Sequence, residues 1–303
     1  MKRDLVSIFS LSRDEIDHLM ERTATLKAKQ KEGVPYTPLQ GKTLGLIFEK
    51  ASTRTRISFE VGMYQLGGYP LFLDFRDMQL SRGETVADTA RVFSRYVDGI
   101  MARTFSHETI EEMAQYATVP VINGLSDLLH PCQTLSDVFT IVEKMGGYRG
   151  VKVAYIGDGN NVANSWVNCA ARLDFQLSLA CPEGYEPDSS ILEGARRESR
   201  GEIQLIHDPG KAVSGADVIY TDVWASMGQE SEHAKRLRRF RDYQVNSRLV
   251  KAAKKDVRVM HCLPAHRGEE ITDEVMDGGH SIVWDQAENR LHVQKAILEW
   301  LMG

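Results

Sequence analysis

Along the chain, short apolar runs alternate with stretches whose apolar residues recur every three to four positions. Leu11 to Lys31 carries Ile16, Leu19, Met20 and Leu26 among charges, with Ser12 and Glu15 in capping-box spacing. That pattern predicts an amphipathic helix. Thr43 to Phe48 is a short apolar run, followed by a helical spacing (Ile57, Phe59, Val61, Tyr64, Leu66) that stops at Gly67-Gly68. The alternation continues with strands predicted over Tyr69–Phe75, Gly99–Thr104 and Val119–Leu125, and helices over Glu84–Tyr96, His107–Ala117 and Pro131–Met145. After Gly146-Gly147 it restarts, with strands expected at Lys152–Ile156, Gln176–Cys181, Ile203–Ile206, Asp217–Thr221, Val257–Met260 and Ser281–Trp284. Helical patterns lie between most of them, and Ala287–Met302 closes the chain as a helix.

Two successive series of βαβ units imply two open parallel-sheet α/β domains with helices on both faces, joined by interdomain helices. No Pro/Ser-rich linker separates them, so the boundary is expected inside the helical stretch around Thr134 to Gly146. The expected domains are 1–134, with 287–303 packing back on it, and 135–286.

Composition narrows the class. A chain of 303 residues with 37 basic and 42 acidic side chains has a formal charge of -5 and is long enough to bury its own cores. It has no overall basic field for a nucleic-acid backbone, so an anion site must be built locally. The charged start, Met1-Lys2-Arg3-Asp4-Leu5, lacks the apolar core of a signal peptide, and no stretch approaches the ~20 apolar residues of a membrane span. A cytoplasmic protein with no nucleic-acid or membrane partner is expected. Cys132, Cys169, Cys181 and Cys262 are scattered and form no zinc or disulfide pattern.

Open α/β sheets bind ligands beyond the carboxyl ends of their strands. After the first strand comes Ser52-Thr53-Arg54-Thr55-Arg56, a dense set of donors at a helix start. Two arginines there oppose the helix dipole by a few tenths of a kcal/mol each, which makes sense around a bound anion. The plainer reading is a solvated cap. Arg103 ends another strand and His130-Pro131-Cys132-Gln133 follows the next, its proline suited to a first helical turn. Singly each is unremarkable, but three such ends in one sheet converge. In the second half, Gly157-Asp158-Gly159-Asn160-Asn161 resembles a dinucleotide fingerprint, but Val162 stands where its third glycine belongs. A nicotinamide dehydrogenase is therefore disfavoured. Asp222, Ser226, Met227 and Gly228 follow one later strand, and His261-Cys262-Leu263-Pro264 follows another. A carboxylate, a hydroxyl and a thiol suit an amino-acid-like ligand, although a solvated Asp and a small buried Cys are the plainer fates. Arg290, expected near the start of the last helix, is again a cation at the unfavourable end of the dipole.

With these motifs in this order, the whole chain resembles the aspartate/ornithine carbamoyltransferase family. Ser226-Met227-Gly228 with His261-Cys262-Leu263-Pro264 marks its ornithine branch; position 132 varies in the family. The resemblance implies transfer of the carbamoyl group of carbamoyl phosphate to the δ-amine of L-ornithine, giving L-citrulline and phosphate, in arginine biosynthesis or in reverse. No metal or organic cofactor is implied. The first domain would take carbamoyl phosphate and the second ornithine. By position, the resemblance places Ser52, Thr53, Arg54 and Thr55 on the phosphate and Arg103, His130, Pro131, Cys132 and Gln133 around the carbamoyl group. Gln79 would reach a neighbouring subunit's site in a homotrimer or an assembly of trimers, and Arg290 would complete the phosphate side. Asn161 and the Met227 backbone would hold the ornithine carboxylate, and Asp222 and Ser226 its α-ammonium. Cys262 and the Leu263 carbonyl would approach the δ-amine. Arg54, Arg103, His130, Gln133, Asp222 and Cys262 would carry the catalysis. A non-catalytic amino-acid-binding module and a sister transferase acting on a diamine are the alternatives. The first need not keep Arg54, Arg103 and His130 together, and the second has no use for the residues that read an α-amino acid head.

Overall fold

The computed structural model describes residues 2–199, 201–225 and 232–303. The chain divides into two compact units, Met1–Phe139 with Asn289–Gly303, and Thr140–Glu288. The elements in chain order are α1 (Arg13–Lys31), β1 (Thr43–Phe48), α2 (Thr53–Gln65), β2 (Tyr69–Asp74), α3 (Val86–Phe93), β3 (Gly99–Arg103), α4 (His107–Tyr116), β4 (Val121–Leu125) and α5 (Pro131–Met145). They continue with β5 (Lys152–Ile156), α6 (Asn161–Arg172), β6 (Gln176–Ala180), α7 (Ser189–Glu198), β7 (Ile203–Ile206), α8 (Pro209–Val213) and β8 (Val218–Thr221). The chain ends with α9 (His233–Phe240), α10 (Ser247–Lys251), β9 (Arg258–His261), α11 (Asp273–Met276) and α12 (Val283–Met302). The unit boundaries fall within α5 and α12.

Local chemistry sets several of these starts. The Ser12 hydroxyl accepts from the Glu15 N–H while the Glu15 carboxylate accepts from the Ser12 N–H at 2.9 Å, closing the capping box expected of α1. α3 is shorter than its hydrophobic pattern, because Thr85 caps it by accepting from the Asp88 N–H at 3.0 Å, and Glu84 instead accepts from the Thr89 hydroxyl at 2.9 Å.

One predicted strand is absent. Ser281 makes a single bridge to Val259, and α12 begins two residues later, at Val283. Ile282 and Val283 are buried while Trp284 is 60% exposed. A short apolar run cannot distinguish a strand from the buried start of a helix. Arg290 consequently lies two turns inside α12 rather than at its start, where the dipole argument no longer applies.

Both sheets are wholly parallel. The first has strand order β2-β1-β3-β4, and the second β7-β6-β5-β8-β9. In each, strand order reverses at one place, between β1 and β3 and between β5 and β8, which is where such sheets open a crevice. Pairing Phe48 with Arg103 puts the segment after β1 beside the end of β3. In the second unit, the pairings Ile156 with Thr221 and Thr221 with His261 bring the segments after β5, β8 and β9 to one edge. The fully buried strands Gly99–Arg103 and Val218–Thr221 reflect helical cover on both faces. The C-terminal part of α12 belongs to the first unit. There Glu299 accepts from Arg22 at 2.8 Å and Lys27 donates to Asn289 at 2.7 Å. A Cβ at Gly62 of α2 would stand 3.3 Å from Lys295, so α2 and α12 approach closely.

Candidate active site

In the first unit the site is built around Thr55. Ser52 caps α2, its hydroxyl accepting from the Thr55 N–H at 3.2 Å. The Thr55 side chain is fully buried, and its hydroxyl oxygen accepts from Arg290 Nη2 at 2.8 Å and from Arg103 Nη1 at 3.5 Å. Arg290 and Arg103 are 4% and 5% exposed as residues. Two buried cations converging on one hydroxyl, beside a helix N-terminus, create a field that a phosphate dianion complements. Thr53 is exposed and Arg54 half-buried on the first turn of α2. Arg56 is engaged elsewhere, paired with Glu60 at 2.9 Å and lying 3.6 Å over the Phe72 ring.

His130 sits 5% exposed just before Pro131 opens α5. Burial, and then the charges of Arg290 and Arg103, hold its imidazole well below the ordinary histidine range, so the ring is neutral at physiological pH. Gln133 is buried, and its amide donates to Asp137 at 2.8 Å, while its Oε1 has no hydrogen-bond partner among the described residues. The Cys132 thiol donates to the Asn123 carbonyl at 3.4 Å, and burial pushes it up to about 12. It is a packed thiol, not a nucleophile. Gln79 lies exposed at the start of a short 3-10 turn, Gln79–Arg82.

In the second unit the centre is Asp222, 6% exposed at the end of β8. Its Oδ2 accepts from the Asn160 amide at 2.7 Å, and its Oδ1 accepts from the Val223 N–H and the Cys262 thiol, each at 2.8 Å. Asn160 also caps α6, its Oδ1 accepting from the Val162 and Ala163 N–H groups at 2.9 and 3.2 Å. Asn161, the first residue of α6, is half-buried. Leu263 has φ +60, the left-handed region, followed by a cis peptide bond to Pro264. Ser226 and Met227, expected at the ornithine head, lie outside the described residues.

Among the described residues, two clusters have metal-ligand geometry. Asp222, His261 and Cys262 hold their ligand atoms within 4.8 Å of one another, as do His233, His266 and Glu269. In the first cluster the His261 ring is already committed, because Nδ1 accepts from the Leu263 N–H at 2.8 Å and Nε2 lies 3.1 Å from Glu270.

The anion donors of the first unit fit a phosphorylated ligand, and the bonded carboxylate, amide and thiol of the second fit an amino-acid-like one. Family models of the aspartate/ornithine carbamoyltransferase carbamoyl-P binding domain and Asp/Orn binding domain match residues 3–143 and 149–301. The chain belongs to the aspartate/ornithine carbamoyltransferase family. The ornithine carbamoyltransferase of Syntrophus aciditrophicus (strain SB) is 64% identical over 302 residues, covering 100% of both chains. The anabolic enzyme of Pyrococcus furiosus is 58% identical over 99% of this chain and 96% of its own. A solved structure of ornithine carbamoyltransferase from Pyrococcus furiosus superposes with a TM-score of 0.96 at 57% identity, over 99% of this chain and 97% of that one. The protein is thus a carbamoyltransferase of two parallel-sheet α/β domains whose substrates are small molecules. Among its described residues no helix is long and apolar enough to cross a membrane.

Seen against this family, the structure gathers Ser52, Thr55, Arg103, His130 and Arg290 in one unit and Asp222 and Cys262 in the other. Asp158 and Asn160 stand in the Gly157–Asn161 motif without an assigned role there, and Arg236 and Glu270 belong to no motif of the sequence. Arg236 is 6% exposed, donates to the Trp224 carbonyl at 2.7 Å and pairs with Asp158 at 2.9 Å, bracing the segments that carry Asp222 and Asn160.

Proposed function

We propose that this carbamoyltransferase transfers the carbamoyl group from carbamoyl phosphate to the δ-amine of L-ornithine, with the Thr55–Arg103–Arg290 group holding the donor and the Asp222 group the acceptor. The observation that carries this reading is the convergence of two buried guanidiniums on the Thr55 hydroxyl. Ser52, Thr53, Arg54 and Thr55 bind phosphate oxygens, Arg103 bridges phosphate and carbamoyl oxygen, and Arg290 completes the anion side. His130 and Gln133 hold the carbamoyl group, with Pro131 and Cys132 setting the turn that presents them.

An ornithine δ-amine resembles a lysine, so about one molecule in 2,500 is free base at pH 7, and drawing on that pool costs ~4.6 kcal/mol. Desolvation and nearby cations lower that cost. Asp222 and Ser226 bind the α-ammonium, Asn161 and the Met227 backbone the carboxylate, and Cys262 with the Leu263 carbonyl the δ-amine. The amine attacks the carbamoyl carbon, donors from Thr55, Arg103 and neutral His130 stabilise the developing oxyanion, and phosphate leaves. A neutral imidazole suits that role because it donates a hydrogen bond without adding a third cation. The Asp222 thiol contact makes Cys262 an orienting group rather than an acyl carrier.

The reading includes a cytoplasmic homotrimer or an assembly of trimers, supported by the exposed Gln79 turn and by Ile57, Tyr64, Tyr69 and Leu71, which stay 53%, 76%, 64% and 38% exposed on α2 and the edge strand β2. Metabolic direction follows the relative named anabolic, toward arginine. The test is the initial rate with carbamoyl phosphate and, separately, ornithine, putrescine, lysine and aspartate. Citrulline formation with ornithine far above the other products supports the reading. Preference for putrescine would move the chain to the diamine branch.

A further inference from the structure

We propose that Glu270 is a positioning residue for carbamoyl transfer, acting through His261 to fix the left-handed backbone of Leu263 and so the direction of the Leu263 carbonyl. The proposal rests on the reading above, in which that carbonyl meets the δ-amine.

Leu263 is the one non-glycine with positive φ among the described residues, at +60. For a leucine that conformation is disfavoured and persists only where surrounding contacts over-determine it. Here the determining contact is unusual: the Leu263 N–H donates to Nδ1 of His261, two residues back, at 2.8 Å. An Nδ1 that accepts carries no proton, so the ring proton sits on Nε2, which faces Glu270 Oε1 at 3.1 Å. One carboxylate oxygen therefore selects the tautomer that Leu263 requires. Glu270 and the His261 side chain are fully buried.

The same Oε1 accepts from the His266 N–H at 2.6 Å, so Glu270 ties His261 to the middle of the segment that runs from His261 to itself. The His261 N–H donates to Gln286 at 2.9 Å, which fixes the base of the ring. Neither Glu270 nor His261 is exposed to a substrate. The contact that carries their arrangement to Leu263 is one backbone amide, and an acceptor placed about 1 Å wrong can cost a hundredfold in rate.

The test separates reach from charge. Glu270→Gln keeps an acceptor oxygen at the same distance without the charge, and Glu270→Asp keeps the charge but withdraws it by one methylene. Steady-state kinetics of both, per carbamoyl-phosphate-binding site counted by equilibrium dialysis, should show kcat within about 3-fold of wild type for Gln and about 10- to 100-fold lower for Asp, with carbamoyl phosphate KM unchanged. An Asp variant with wild-type kcat, or a Gln variant as impaired as the Asp variant, would overturn the proposal. Nitrogen-15 spectra of His261 give a readout independent of turnover. The Nε2–H tautomer in wild type, lost in Glu270→Asp, supports the positioning chain; the same tautomer in both overturns it. A tautomer change with unaltered kcat likewise overturns the proposal, whereas a wild type that forms no citrulline counts against the proposed function and leaves the Glu270–His261–Leu263 contacts as they are.

Discussion

The Cys262 thiol donates a hydrogen bond to Oδ1 of Asp222 at 2.8 Å. The same carboxylate accepts from Asn160 and from the Val223 N–H, so a thiol, an amide and a backbone donor hold it in one orientation. A carboxylate beside sulfur opposes a second negative charge there, which keeps Cys262 a donor. Iodoacetamide should alkylate Cys262 about 10-fold more slowly in the wild type than in Asp222→Asn at pH 8. Equal rates would show that the contact does not restrain the thiol.

Thr55 gives two buried guanidiniums a shared acceptor, and Thr55→Val removes it while keeping the shape. We expect the carbamoyl phosphate KM to rise about 10-fold or more with the ornithine KM little changed, because hydrogen bonds to charged groups are worth roughly 1.5–3 kcal/mol. Retention of the wild-type KM would detach Thr55 from the donor site.

His130 links the site to pH. Its folded-state proton affinity is depressed by burial and by Arg290 and Arg103, while the unfolded ring titrates near 6.5. Below pH 6.5 the unfolded chain takes up a proton that the folded ring refuses. The stability His130 confers is therefore complete above 6.5 and falls as pH drops toward the folded value, by up to ~1.4 kcal/mol per pH unit. Denaturant melts between pH 7.5 and 5.5 should show wild type losing more stability than His130→Asn. Parallel losses would mean that His130 protonates freely in the folded protein.

Arg236 and Asp158 form an ion pair whose side chains are each 8% exposed. Burial pushes the Asp158 carboxyl up to about 7 in spite of Arg236, so this carboxylate depends on its partner. Arg236→Met should destabilise the protein by about 3–5 kcal/mol, and adding Asp158→Asn should recover part of that loss. Strictly additive effects in the double variant would show that the two side chains are not coupled.

Much of this was legible in the chain. β1 read as a strand because six apolar-rich residues meet a cap at Ser52, and Arg103 and His130 stood out because strand ends in parallel sheets are where ligands bind. Ser281–Trp284 misled because its burial comes from the start of α12, which an apolar run does not reveal. Arg236 and Glu270 had no local signal, and Asn160 stood out only within the Gly157–Asn161 motif, whose sequence does not reveal the contact to Asp222. Asn160 meets Asp222 across the β5–β8 switch, Arg236 meets Asp158 from a separate helix, and Glu270 matters only because Leu263 adopts a conformation no sequence pattern announces. Polar partners chosen by tertiary contact are the part that periodicity cannot supply.

If the Ser52–Thr55 turn with Arg103 and Arg290 holds the donor and the Asp222 group holds the acceptor, crossed steady-state kinetics of Arg54→Ala and Asp222→Asn separate the two substrates. The account predicts that Arg54→Ala raises the carbamoyl phosphate KM by about 100-fold with a near-normal ornithine KM, and that Asp222→Asn does the reverse. A raised carbamoyl phosphate KM in Asp222→Asn, with ornithine unaffected, would contradict it.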